Sequence, residues 1–160
     1  MRVLRGMRAD PADGLPTIGE TGRYLGVRPG VDIPVAPDEF VDPRTEGMSV
    51  APPPVENLAQ HRRPPRFGGT GKDPVFELDT EDLPGELAYR PDPANPEGHG
   101  FIEPARRVPF EEYRRAIYGT RTLWRRACPP RHVRRPAPNG AKRRRPERPR
   151  ARHRARNPLQ

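Results

Sequence analysis

The chain has 160 residues, enough for one domain, with a formal net charge of +9 and 25 prolines, about three times the average share. Its single cysteine, Cys128, excludes an intramolecular disulfide and a zinc site built from cysteines. No stretch approaches the roughly 18 apolar residues of a transmembrane helix, so we expect no membrane span. Residues 1–8 lack the apolar core of a secretory leader. We therefore expect a cytoplasmic protein that, if exported into a target cell, uses no cleaved signal peptide.

The first predicted element is a strand over residues 2–8. Alternation along it puts Val3, Arg5 and Met7 on one face. Gly6, in the middle of the strand, would let another backbone approach closely. Arg5 is then either a ligand-facing cation or one of the solvated arginines of an exposed edge strand.

Residues 10–38 are predicted to form a loop punctuated by proline and glycine, in which Tyr24 and Leu25 pin the chain to the core. A second short strand is predicted over residues 47–51. Within it Ser49 faces opposite to Met48 and Val50. A lone serine in a strand is usually structural, so its position alone assigns it no role.

The next stretch is rich in proline and glycine. Residues 55–59 have the length of one helical turn, and the segment 67–72 ends in Lys72. It lacks the spacing of a Walker phosphate-binding loop, because Asp73 follows Lys72 where serine or threonine is needed. We interpret it as a plain loop, with a loop that partly covers a ligand as the alternative.

Three elements follow closely. Residues 75–78 and 87–90 are predicted strands, separated by the turn Leu83-Pro-Gly-Glu. A third strand over residues 99–103 has His99, Phe101 and Glu103 on one face. A histidine beside a glycine on a strand indicates a candidate site, with a core or surface histidine as the alternative.

The sequence predicts one convincing helix, over residues 109–124. Four aromatic or apolar residues recur near one face, with glutamates at its start and arginines later, as the helix dipole favours. We interpret the aromatic stripe as core packing and expect Gly119 to break the helix. The many short apolar runs between proline turns predict an α+β domain of short split sheets around a cleft.

Charge divides the chain at residue 128. Residues 1–127 hold 18 Lys and Arg against 20 Asp and Glu, whereas residues 128–160 hold 12 against one. The second segment has no hydrophobic period, so we predict a disordered, Arg- and Pro-rich tail. It could bind nucleic acid or an acidic membrane. Alternatively it is a frameshifted or read-through end, because GC-rich DNA encodes Arg, Pro, Ala and Gly in almost any frame.

Five segments, in this order, resemble the ADP-ribosyltransferase-like toxin effectors of bacterial type VI secretion. They are Leu4-Arg5, Gly22-Arg-Tyr-Leu25, Gly47-Met-Ser-Val50, the run from Phe76 to Asp92, and His99-Gly-Phe-Ile-Glu-Pro-Ala105. The resemblance covers about residues 1–125 and implies a single ADP-ribosyltransferase-like domain over residues 1–127. Each motif is short, and their shared order is the better argument.

The resemblance also implies NAD as the cofactor and assigns site residues. Arg5 would hold a phosphate through paired charge-assisted bonds, and Ser49 and His99 would act on the ribose side as catalytic residues. Tyr24 would supply a wall for nicotinamide. Arg90, which matches a lysine of the family pattern, would add a second cofactor-binding cation.

The chain departs from the family pattern at three positions. Met48 replaces a threonine, Gly100 replaces an aromatic residue, and Glu103 stands where the resembling toxins have no glutamate. We therefore assign Glu103 no catalytic role. The expected function is a toxin that binds NAD and transfers ADP-ribose to an unidentified acceptor, with an immunity protein as partner. The alternative is a basic nucleic-acid-binding protein that acts through its C-terminal tail, and no metal site is expected.

Overall fold

Short strands pair into small antiparallel sheets in the computed structural model, which describes residues 1–128. The part described is a mixed helix-and-strand structure with one α-helix, α1 (Phe110–Gly119). The strands are β1 (Arg2–Gly6), β2 (Phe40–Val41), β3 (Met48–Val50), β4 (Val75–Asp79), β5 (Leu87–Pro91), β6 (Gly100–Pro104), β7 (Val108–Pro109) and β8 (Arg125–Arg126). Single 3-10 turns lie at Val55–Asn57, Gln60–Arg62, Pro65–Phe67, Thr80–Asp82 and Arg121–Leu123.

Two three-stranded sheets frame the site. One has the order β1-β4-β8 and the other β3-β6-β5, while β2 and β7 form a separate pair. The two larger sheets touch at Leu4 and Ala51, which exchange backbone hydrogen bonds of 2.7 and 2.9 Å. The cleft described below is lined by residues of both sheets, from β1 and from β3.

The side-chain alternation predicted for β1 is confirmed. Arg5 lies opposite Phe76 of β4, and Val3 lies opposite Leu78, so all four side chains share the face that packs into the core. Arg5 is only 8% exposed. The alternative of a solvated edge-strand arginine is therefore wrong for Arg5.

Helix α1 ends five residues earlier than the apolar pattern reaches. It stops at Gly119, as expected, and the chain continues through a 3-10 turn to Trp124. Phe110, Tyr113 and Ile117 are buried on its inner face, which confirms the aromatic stripe as core. The Tyr113 hydroxyl donates to the Ile102 carbonyl at 2.7 Å and accepts from the Met48 N–H at 3.1 Å. The helix is thereby tied to both β3 and β6.

The predicted strands over residues 75–78, 87–90 and 99–103 are confirmed as β4, β5 and β6. The turn between β4 and β5 also forms, since the Leu87 N–H donates to the Pro84 carbonyl at 2.9 Å. Gly85 does not have a positive φ, so the turn does not depend on the conformational freedom of glycine. The two-residue strands β2, β7 and β8 were not predicted, because two residues show no periodicity.

The predicted disorder of the Arg- and Pro-rich tail concerns residues that, beyond Cys128, lie outside the described part of the chain. Its proposed nucleic-acid contacts lie there too. Within residues 1–128, no helix combines the length and the apolar character needed to span a bilayer.

Candidate functional site

A cleft of about 480 Å³ lies between the two larger sheets and brings together three of the predicted site residues. Arg5 reaches it from β1, Ser49 from β3, and His99 from the position just before β6. These residues are 44 and 50 positions apart along the chain. Their convergence is a property of the fold.

Arg5 is held in place by backbone carbonyls. Its Nη1 donates to the Ser49 carbonyl, its Nη2 donates to the Tyr24 carbonyl at 3.5 Å, and its buried Nε has no partner within residues 1–128. Burial lowers the pKa of Arg5 to about 10, against the attraction of the nearby Asp32 carboxylate. The guanidinium is therefore charged at neutral pH, and Arg5 lines the cleft, where an anionic ligand could meet this charge.

Ser49 projects from the face of its sheet that is turned away from the core. It is exposed between the buried Met48 and Val50, and it lies opposite Phe101 of β6. His99 precedes Phe101 by two residues, and their rings meet edge to face with centroids 4.8 Å apart. The Ser49 hydroxyl and the His99 ring therefore belong to the same face of this sheet.

His99 is oriented by a carboxylate. Its Nδ1 lies 2.9 Å from Oδ2 of Asp92, which also lines the cleft. The pKa of Asp92 is lowered by the Ala94 N–H and then by His99, so the carboxylate is ionised at neutral pH. Because an ionised carboxylate only accepts, Nδ1 carries the proton and Nε2 is the nitrogen left for a ligand.

Asp92 was not predicted, because its contact with His99 follows from a strand register that only the structure reveals. Pro91 of β5 lies opposite Gly100 of β6, so the next pair in the hairpin is Asp92 and His99. The Asp92 N–H donates to the His99 carbonyl at 3.0 Å, which closes this pair. Directly opposite side chains share a face, and the contact follows from the pairing.

Arg90 is occupied elsewhere. Its Nε donates to the buried Glu103 at 2.8 Å, and its Nη2 donates to the Thr45 carbonyl at 3.1 Å. Arg90 is not among the residues of the described part of the chain that line the cleft. The Arg44 N–H also donates to Glu103 at 3.1 Å, so this carboxylate serves a structural pair.

Tyr24 contributes to the site through its backbone. Its carbonyl accepts from Arg5, whereas its ring packs beside Gly19 and its hydroxyl accepts from Arg8 at 3.4 Å. The ring is not part of the cleft lining in residues 1–128. Cofactor contacts by Tyr24 and Arg90 remain predictions.

The cleft contains further charged residues that were not predicted. Arg28 donates to both carboxylate oxygens of Asp32, at 3.0 and 2.7 Å, and both residues line the cleft. The sequence does contain a signal for the Arg28–Asp32 pair: Pro29-Gly30 is a turn dipeptide, and a turn brings the residues on either side of it together. Arg62 joins from a 3-10 turn by donating to the Gly22 carbonyl at 2.5 Å.

The charges of the lining favour an anionic ligand. Three arginines face two carboxylates, Asp32 and Asp92, each of which already has a cationic or histidine partner. In residues 1–128, no three His, Cys, Asp or Glu side chains converge as metal ligands. Comparison of the chain with models of protein families finds no match, and comparisons with curated proteins and with solved structures find none either.

Proposed function

We propose that the cleft between the two larger sheets binds NAD and that the protein is a bacterial toxin that transfers ADP-ribose to an acceptor. The supporting observation is that Arg5, Ser49 and His99, three positions given by the resemblance to ADP-ribosyltransferase-like effectors, line one cleft. The resemblance had assigned them from separate sequence motifs. Only the fold brings the three motifs together in space.

The residues of the cleft fit a dinucleotide. Its volume of about 480 Å³ is within the usual range of roughly 300–1,000 Å³ for ligand pockets. Arg5 lines the cleft with a charged guanidinium that would attract a phosphate. The excess of arginines over carboxylates favours the doubly charged pyrophosphate.

Each residue has a role that its geometry suits. Arg5 would bind a phosphate, while the exposed Ser49 hydroxyl and Nε2 of His99 would bind the ribose hydroxyls. Asp92 would act as a positioning residue by holding the His99 ring. When bound, NAD supplies the ADP-ribosyl group, whose bond to nicotinamide is the one that breaks.

The same proposal extends to partners. The resemblance implies a cognate immunity protein, export into a target cell and an acceptor whose class is open. The rival function is nucleic-acid binding by residues 128–160, and it predicts steeply salt-dependent DNA binding that is lost when this segment is deleted.

The direct test is titration of the purified full-length protein with NAD. We expect Arg5→Gln to weaken binding at least about tenfold, since a hydrogen bond to a charged group contributes roughly 1.5–3 kcal/mol. Arg8→Gln is the matched control, because Arg8 is exposed and does not belong to the cleft lining. Equal affinity in all three proteins would contradict the proposal.

A second test follows activity in cells. Inducible expression of the full-length wild type in bacteria should slow growth and lower cellular NAD, and His99→Ala should do neither while keeping the melting temperature. A large fall in the melting temperature of His99→Ala would instead identify a structural histidine. If folded wild-type protein leaves growth and NAD unchanged, the toxin proposal is wrong.

A further inference from the structure

A second cavity, of about 420 Å³, adjoins the cleft and shares lining residues with it. Gly6, His61 and Arg62 line both spaces, and Thr70 and Lys72 line only the second. The two cavities meet where Gly6 of β1 runs beneath the 3-10 turn of residues 60–62. A Cβ atom added to Gly6 would lie 2.5 Å from the Arg62 carbonyl oxygen, so the two backbones are in direct contact.

The wall of this cavity is held by backbone hydrogen bonds. The Thr70 N–H donates to the Gln60 carbonyl at 2.9 Å, and the Gly71 N–H donates to the Arg63 carbonyl at 2.6 Å. The glycine-rich segment is therefore fixed against the 3-10 turn. This arrangement places Thr70 and Lys72 beside Arg62 along one cavity.

The charge of this cavity is positive and largely unneutralised. Asp73 is the one carboxylate among its lining residues, and Arg23 binds both of its oxygens, at 2.6 and 2.8 Å. Lys72 makes no ion pair with any of residues 1–128, and neither does Arg62. With the Thr70 hydroxyl and the His61 ring, the cavity offers several hydrogen-bond donors beside its two cations.

We propose that this second cavity is a binding site for a phosphate group, formed by Arg62, Lys72, Thr70 and His61. A phosphate group carries up to two negative charges and three acceptor oxygens, which match a lining of two cations and two further polar groups. The group belongs to a free phosphate ligand or to the backbone of a nucleic acid. The inference does not rest on NAD binding, although Arg62 and His61 also line the first cleft.

The lysine content of the chain gives a direct test. Lys72 and Lys142 are its only lysines, so lysine-selective isotope labelling of the full-length protein yields two side-chain NMR signals. A Lys72→Arg variant assigns them. We expect inorganic pyrophosphate to shift the Lys72 signal saturably at concentrations that leave Lys142 unmoved.

Two other results would overturn the proposal. Parallel shifts of both lysines, or of Lys142 alone, would mean general attraction of anions to the basic C-terminal segment. A Lys72 shift with NAD but none with pyrophosphate would make the cavity an extension of the dinucleotide cleft. Displacement of pyrophosphate by oligouridylate more readily than by AMP would identify a nucleic-acid backbone as the source of the phosphate, and the reverse a small ligand.

A matched pair of variants completes the test by calorimetry. Lys72→Gln should weaken pyrophosphate binding about tenfold, the usual effect of losing one charged hydrogen bond. Arg66→Gln is the control, because it removes the same charge from a position nearby in the sequence. Arg66 lies over Phe67, at 5.1 Å from its ring centroid, and lines neither cavity. Equal losses in the two variants would overturn the proposal. Thr70→Ala, which leaves the net charge unchanged, should also weaken binding.

Discussion

Asp92 accepts a hydrogen bond from Nδ1 of His99 at 2.9 Å, across the end of the β5–β6 hairpin. The backbones of the same two residues are joined at 3.0 Å, so ring and carboxylate are fixed by one local structure. The strand pairing thus orients the histidine of the candidate site. The His99 ring therefore needs no ligand to hold this orientation.

Under the proposed function, Asp92→Asn should therefore reduce NAD consumption while leaving the fold intact. An amide keeps the shape but can present its NH₂ group to Nδ1, which permits the wrong tautomer. We expect a loss of about tenfold in the rate, which corresponds to about 1.4 kcal/mol of activation free energy. The measurement is NAD turnover together with the melting temperature. Asp38→Asn is the control, because it breaks a 2.6 Å pair with Arg107 that lies outside the cleft lining.

Tyr113→Phe should destabilise the protein by about 1–3 kcal/mol, the cost of leaving buried polar groups unsatisfied. The hydroxyl serves the Ile102 carbonyl and the Met48 N–H, and Tyr113 is 1% exposed. Urea unfolding measures the effect. Tyr118→Phe is the matched control on the same helix, and its only partly buried side chain should give a change below about 0.5 kcal/mol. Similar values for both variants would contradict the bridging role.

Gly6→Ala should separate β1 from the turn of residues 60–62. The added methyl group would meet the Arg62 carbonyl oxygen at 2.5 Å, and neither backbone can move without disturbing a sheet or a turn. We expect about 1–3 kcal/mol of destabilisation, typical of overpacking, and weaker ligand binding at both cavities. Gly85→Ala is the control, because open space surrounds that position and its φ is not positive. A stable Gly6→Ala protein with unchanged binding would argue against this contact.

Acid should weaken the fold through Asp32. Burial by itself would raise the pKa of Asp32, but hydrogen bonds from the side chain and backbone of Arg28 outweigh it, and the pKa lies below its ordinary value. The unfolded value is about 3.9. The ionised carboxylate therefore stabilises the folded state above about pH 4, and this stabilisation is lost as the pH falls through the lower folded value.

The measurement is the free energy of unfolding of wild type and Asp32→Asn across this range. The two proteins should differ at neutral pH and converge as the pH falls below the folded pKa of Asp32. A difference that persists unchanged in acid would mean that Asp32 stabilises the fold without its charge. Asp38→Asn, on an exposed ion pair, should show a much smaller difference at neutral pH.

Much of the local structure follows from the sequence. Alternation along residues 2–8 assigns Arg5 to the same face as Val3, and burial of that face follows once a partner strand is present. Strands β4, β5 and β6 and the end of α1 at Gly119 follow from short-range pattern and turn residues. Short-range patterns suffice here because neighbours along the chain decide which face a side chain takes.

The tertiary structure alone decided which side chains meet. Alternation placed His99 on a face, but the pairing of β5 with β6 gave it Asp92, and the same pairing gave Arg90 to Glu103 instead of to the cleft. Arg62 lies 57 residues from Arg5 in the chain and lines the same cleft. The physical reason is that periodicity reports the direction of a side chain, whereas its partners depend on strand register and on contacts between segments distant in sequence.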